Sequence, residues 1–146
     1  MMSKSNKTTS RLDELKAMAN AGVTQRRRND DAEHRLQCAC VKWFRLQYPI
    51  MRHSLFAVPN GGRRDAVTGS KLKAEGALPG VADLILLQRT RRYGALLIEM
   101  KTARGQQSAL QRQWQAAVTL DGYRYIVCRS FEDFMAQVND YLQDLL

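Results

Sequence analysis

The chain has 146 residues, 45% hydrophobic and 25% charged, enough for one globular core that needs no disulfide or metal to hold it together. Its 23 Lys and Arg against 14 Asp and Glu leave a net charge of +9, which favours a polyanionic partner, nucleic acid first and an anionic membrane surface second. No apolar run approaches the ~18 residues of a transmembrane helix, and the opening MMSKSNKTTS lacks the apolar segment of a secretory signal, so the expected location is the cytoplasm.

Residues 1–9 are polar and expected to be unstructured, and Ser10 is placed to cap a short helix through Asn20, with Leu12, Leu15 and Met18 on one side and Gly22 as its stop. Gln25-Arg26-Arg27-Arg28-Asn29 then reads as a basic connector, either solvated or in contact with phosphates. This sets residues 1–29 apart, as a tail with a short helix, from a domain over 30–146. A second helix is expected from Asp30 or Asp31 to Gln47, stopped by Pro49, with Leu36, Cys40, Trp43, Phe44 and Gln47 on its apolar face. Glu33 falls on that same face; either the helix dipole favours it in the first turn, or it is aimed at a site. The three cysteines, Cys38, Cys40 and Cys128, include no CxxC pair and read as reduced core residues. His34 and Cys38 sit one turn apart, but a zinc site needs four ligands and no matching second pair exists.

Leu55-Phe56-Ala57-Val58 predicts a short strand, closed by Pro59 and the breakers Asn60, Gly61 and Gly62. Arg63 and Arg64 follow at once, so this is either an ordinary turn or one that brings backbone amides and guanidinium groups to a phosphate. Asp65 is placed to cap a helix from Ala66 to about Glu75, with Val67 and Leu72 inward, Lys71 and Lys73 on the wet side, and Gly76 as the stop. Two apolar runs come next, Gly80 to Leu87 and Ala95 to Lys101, separated by a loop that carries Arg89, Arg91, Arg92 and Tyr93. They predict a β-hairpin. Closing Gln88 against Gly94 sets Asp83 opposite Glu99, with Lys101 two residues on and therefore on the same face. Opposed side chains lie roughly 5 Å apart, where two carboxylates repel. Either a divalent cation held by Asp83 and Glu99 relieves them, with the Lys101 ammonium alongside, or both are strand ends facing water.

Ser108-x-x-Gln111 is a capping-box pattern opening a helix with Leu110, Trp114, Ala117 and Val118 inward, ended by Gly122. Tyr123 to Cys128 predicts the last strand, with Ile126 and Val127 buried. Ser130 caps a final helix whose stripe of Phe131, Phe134, Met135, Val138, Tyr141, Leu142 and Leu145 covers the sheet or includes a dimer surface. The order is helix, helix, strand, helix, strand, strand, helix, strand, helix: an α/β fold.

Glu33, Pro59-Asn60-Gly61-Gly62-Arg63, Leu72-Lys73-Ala74-Glu75-Gly76, Pro79-Gly80-Val81-Ala82-Asp83-Leu84, Ile98-Glu99-Met100-Lys101 and Ser108-x-x-Gln111-x-x-Trp114 together resemble the virus-type replication-repair (VRR-Nuc) domain of the PD-(D/E)XK nuclease superfamily. The resemblance covers roughly Asp31 to Ser130. It implies a restriction-endonuclease-like core, a central mixed sheet flanked by helices, that uses Mg²⁺ or Mn²⁺ and acts on DNA. It puts Glu33, Asp83, Glu99 and Lys101 in the catalytic positions with Gln111 in support. The metal is then expected on Asp83 and Glu99, with the Met100 carbonyl, and with Glu33 bound directly or through a water. Small stand-alone members, typical of phages and prophages, are expected to be homodimers similar to junction resolvases. One departure is visible: Ala82 stands where such sequences usually have Pro before the Asp, which loosens the turn without removing a ligand.

The expected activity is metal-dependent endonucleolytic cleavage of DNA, with branched or junction structures as substrate. The alternatives are a DNA-binding module without turnover and a nuclease acting on RNA. Asn60, Gly61, Gly62, Arg63, Arg64, Lys71, Lys73, Arg89, Arg91 and Arg92 are the expected nucleic-acid contacts.

Overall fold

The computed structural model describes residues 11–59 and 66–145, with side chains from Asp13 onward except that of Val23. The expected Ser10 cap, the turn at Asn60, Gly61 and Gly62, the arginines Arg63 and Arg64, and the Asp65 cap lie outside the described residues.

The first element corrects the sequence reading. Instead of two helices and a connector there is one helix, α1, Arg11–Gln47. Gly22 costs a helix interior only about 1 kcal/mol relative to Ala, and it stops a helix where the backbone turns to positive φ. Here it does not: among the described glycines, positive φ is confined to Gly76, Gly80 and Gly122. The arginine run is therefore helical, and Gln25 donates to Asn29 one turn on, at 3.1 Å. Pro49 ends α1 as expected, with a short 3-10 turn over Pro49–Met51 behind it.

Four strands form one mixed sheet in the order β1 (Leu55–Ala57), β2 (Leu84–Leu86), β3 (Leu96–Met100), β4 (Arg124–Cys128). The pairs β1–β2 and β2–β3 are antiparallel, and β3–β4 is parallel. A parallel neighbour needs a crossover, which α3 (Ala109–Leu120) supplies. The remaining helices are α2 (Ala66–Ala74) and α4 (Phe131–Leu142).

Alternation along the strands sorts side chains to two faces. Leu84, Leu86, Leu96, Ile98, Met100, Ile126 and Cys128 point to one face, where they join Cys40 and Phe44 of α1 and Phe134, Val138, Tyr141 and Leu142 of α4 in a single buried cluster. Trp43 braces the two helices edge-on against Phe134 at 6.0 Å and Phe131 at 6.5 Å. The other face carries Leu97, Glu99 and Tyr125, under α3, whose Trp114 meets Tyr125 edge-on at 6.1 Å.

Other departures are local. Cys40 and Cys128 are core residues as expected, their thiols pushed up to about 12 by burial, but Cys38 is exposed beside His34. Gln47, Val67, Leu110 and Ala117, all assigned inward, are exposed: Gln47 is the last residue of α1, α2 lies on the surface with no buried residue, and α3 has no fully buried residue among those it places over the sheet. Val127 is half-buried beside the buried Ile126. No helix of the described residues is long and apolar enough to cross a membrane.

Candidate active site

The β2–β3 register follows the sequence expectation: Leu84 pairs with Ile98, Ile85 with Leu97 and Leu86 with Leu96. One step further along, Asp83 comes opposite Glu99. Asp83 is oriented by the neighbouring strand, since its Oδ2 accepts a hydrogen bond from the Met100 backbone N–H at 2.7 Å. The approach to Asp83 depends on Gly80, where φ is +87° and an added Cβ would stand 2.7 Å from the Leu110 carbonyl carbon. Only glycine lets this loop pass so close to the first turn of α3. Ala82 is fully buried in the same approach.

Glu99, next to the last residue of β3, is 1% exposed, and both its oxygens are engaged. Oε1 accepts from the Gln111 amide at 2.7 Å and lies 3.6 Å from the Lys101 ammonium. Oε2 accepts from the Tyr125 hydroxyl at 3.1 Å. Gln111 is set by the capping box of α3, whose Ser108 N–H donates to its Oε1 at 2.8 Å while its own backbone N–H donates to Ser108 Oγ at 3.2 Å. Burial first, and then the charge of Asp83 within hydrogen-bonding reach, push the Glu99 carboxyl up to about 8. Lys101 and the Tyr125 bond oppose that rise only in part. Burial likewise raises the Tyr125 hydroxyl, with the Glu99 charge adding to it.

Glu33 reaches the same place from α1. Burial raises its carboxyl above the ordinary value, against the opposing pull of Lys101 and the Thr102 backbone amide, and the charges of Asp83 and Asp30 add to the rise. Glu33, Asp83 and Met100 share a cleft of about 550 Å³ with Arg26, Asp30 and His34 of α1. The fold thus gathers Glu33, Asp83, Glu99, Met100, Lys101 and Gln111 at one end of the hairpin.

The expected nucleic-acid contacts scatter. Lys71 and Lys73 are exposed on α2, Lys71 within 4.0 Å of Glu75. Arg89, Arg91 and Arg92 lie at the far end of the hairpin, six or more residues along the chain from Asp83, about 20 Å of extended strand. Their loop is fastened to the C-terminal segment: Thr90 is buried and bridges to Leu145, the Arg91 N–H donates to the Asp144 carbonyl at 3.0 Å, and Arg92 pairs with the Asp144 carboxylate at 3.1 Å.

Three residues about the site escaped the sequence reading. Tyr125 could be found only from the β3–β4 register, which pairs Leu97 with Tyr125 and which no local pattern sets. Gln107 donates to the Tyr125 hydroxyl at 3.3 Å and to Gln115 at 3.0 Å, steadying the ring from behind. Arg129 donates to the carbonyls of Thr102 and Gly105, at 2.9 and 2.6 Å, and so clamps the loop that follows Lys101.

The donor set suits a hard divalent cation: Asp83 and Glu99 offer only oxygen, sit side by side, and are a poorly neutralised pair. Among the described residues no three His, Cys, Asp or Glu side chains form a ready-made cage, so further ligands would be the backbone or water. The His34–Cys38 pair, 3.6 Å apart, has no additional partners of that kind.

A mixed four-stranded sheet flanked by helices, with an Asp, a Glu and a Lys at one end of its central hairpin, is the core of a PD-(D/E)XK-type nuclease. The VRR-NUC domain model matches residues 20–132, and the chain belongs to that family of nuclease domains. A solved chain described as a VRR_NUC domain protein is similar in fold, with a TM-score of 0.68 at 19% identity over 77% of this chain and 89% of that one. No protein of curated function matches the sequence.

Proposed function

We propose that the protein is a divalent-metal-dependent DNA endonuclease acting on branched or junction DNA. The observation that carries this reading is the buried Glu99 carboxylate set against Asp83, with the Lys101 ammonium 3.6 Å from it. Asp83 and Glu99 would hold the cation, with the Met100 carbonyl, and with Glu33 as a further oxygen donor directly or through a water. Bound Mg²⁺ or Mn²⁺ supplies Lewis acidity, lowering the pKa of a water and offsetting the charge that builds on the phosphoryl oxygens.

The chain's own groups do the rest. Lys101 stands beside Glu99 and stabilises the negative charge developing on the phosphoryl group as the water oxygen bonds to phosphorus and the phosphorus–oxygen ester bond breaks. Gln111 and Tyr125 fix the Glu99 oxygens in place, and α3 and the sheet keep bulk water from its inner side.

A homodimer belongs to this reading, because cutting a junction symmetrically takes two sites. Phe56, Leu87 and Leu110 remain exposed on the α3 side and offer apolar surface for it. The test is incubation with plasmid, branched and single-stranded DNA, and with RNA, in Mg²⁺, Mn²⁺ or EDTA, with light scattering for assembly. Cleavage of branched DNA is expected in either metal and absent in EDTA, and Lys101→Ala should reduce it by about 10²–10³-fold. Cleavage that persists in EDTA, or survives the loss of Lys101, overturns the assignment.

A further inference from the structure

The N-terminal half of α1 presents no buried side chain among the described residues. Its described side chains between Asp13 and Arg28 are all exposed, and the core begins to bury the helix only beyond them. Nineteen residues at ~1.5 Å each carry the helix about 28 Å from its start to Asn29, so this half stands out from the body as an arm. Exposed helix of such length needs a reason, because most helical stability in proteins comes from packing.

The arm meets the active-site cleft at Arg26. That residue lines the cleft together with Asp30, Glu33 and Asp83, all acids. It makes no ion pair there: the salt bridges among the described residues involve Lys71, Arg92, Lys101 and Arg124. Asp30 is its neighbour one turn on, but Arg before Asp along a helix is the less favourable order for such a pair, and the bond is not made. Arg26, Asp30, Glu33 and Gln37 follow one another on a single stripe of α1, and all four line the cleft. Arg27 and Arg28 are rotated from that stripe by roughly 100° and 200°, so Arg28 points largely away.

We infer that Arg26, where the arm of α1 meets the cleft, is a phosphate-binding residue. The inference rests on the nuclease reading. Two turns of helix separate Arg26 from Glu33, about 10 Å along the axis, so Arg26 reaches a phosphate neighbouring the scissile one rather than the reacting group. A guanidinium with no ion-pair partner among the described residues, beside the acids Asp30, Glu33 and Asp83, adds an attractive contact for the polyanion at this end of the cleft.

The test is equilibrium binding of fluorescein-labelled branched DNA to the full chain in EDTA over a range of salt, for wild type, Arg26→Ala, Arg26→Lys and Arg28→Ala. Each lost phosphate contact lowers the slope of log affinity against log salt by about 0.9. Arg26→Ala should lose about that much slope, Arg26→Lys should keep it, and Arg28→Ala should match wild type. Unchanged far-ultraviolet circular dichroism will show that the exposed substitutions leave α1 intact. An unaltered slope in Arg26→Ala, or an equal loss in Arg28→Ala, overturns the inference while leaving metal-dependent cleavage by wild type, and hence the nuclease reading, standing. Wild-type protein that binds RNA but not DNA overturns both.

Discussion

The two faces of the sheet are built from alternate residues of the same strands, yet they are opposite in chemistry. On the α1–α4 side, Leu96, Ile98 and Met100 join Phe44, Phe134 and Tyr141 in an apolar cluster, with Trp43 edge-on to Phe134. On the α3 side, Leu97 and Glu99 meet Tyr125, Trp114 and Gln111, and a carboxylate is wrapped in donors. One residue of register decides which side chain goes to which face, so the fold side specifies the placement of the site side. The dry face supplies stability, and the wet face holds a buried charge that stability alone would not select.

That division can be broken from either side. Phe134→Ala, which empties a fully buried ring position, should cost about 3–5 kcal/mol in urea denaturation and lower activity only through the fraction unfolded. Tyr125→Phe should do the reverse: a stability cost near 1 kcal/mol, with Mn²⁺ affinity by calorimetry and cleavage rate both down about 10–100-fold. If Tyr125→Phe instead unfolds the protein while Mn²⁺ affinity of the folded fraction is unchanged, the wet face is structural too.

The smallest effect is the sharpest. In the EDTA-treated protein the Glu99 carboxyl is raised from 4.5 to about 8, so between those values the folded state binds more protons than the unfolded one. Stability from this group is therefore complete below about pH 4.5 and is lost as pH rises toward 8. Glu99→Gln should remove that decline, giving a melting temperature that exceeds wild type by a margin widening from pH 5 to pH 8, while abolishing cleavage. A margin that narrows with rising pH would contradict the burial argument.

Local patterning was enough to read much of this from sequence. A polar loop between two apolar runs predicts the register that pairs Leu84 with Ile98 and Leu86 with Leu96, and that register brings Asp83 to Glu99. Capping chemistry likewise marks the starts of α3 and α4 at Ser108 and Ser130. What stayed hidden depends on partners distant in the chain. Tyr125 reaches Glu99 only through a parallel pairing, and the hairpin tip looked free because Asp144 and Leu145, which fasten it, lie more than fifty residues further along. Gly22 misled for a different reason: a helix tolerates a glycine when nothing downstream asks the backbone to turn.

The two bonds made by the Gln111 side chain constrain how the site can evolve. A capping box accepts Glu as readily as Gln at this position, since the cap uses only one side-chain oxygen. Here that oxygen is committed to the Ser108 N–H, which forces the amide nitrogen toward Glu99. Glutamate would start the helix equally well and present a third carboxylate to a pair already short of positive charge. The first turn of α3 is thus a polarity filter: local helix chemistry leaves two residues interchangeable, and the acid across the gap admits only the neutral one.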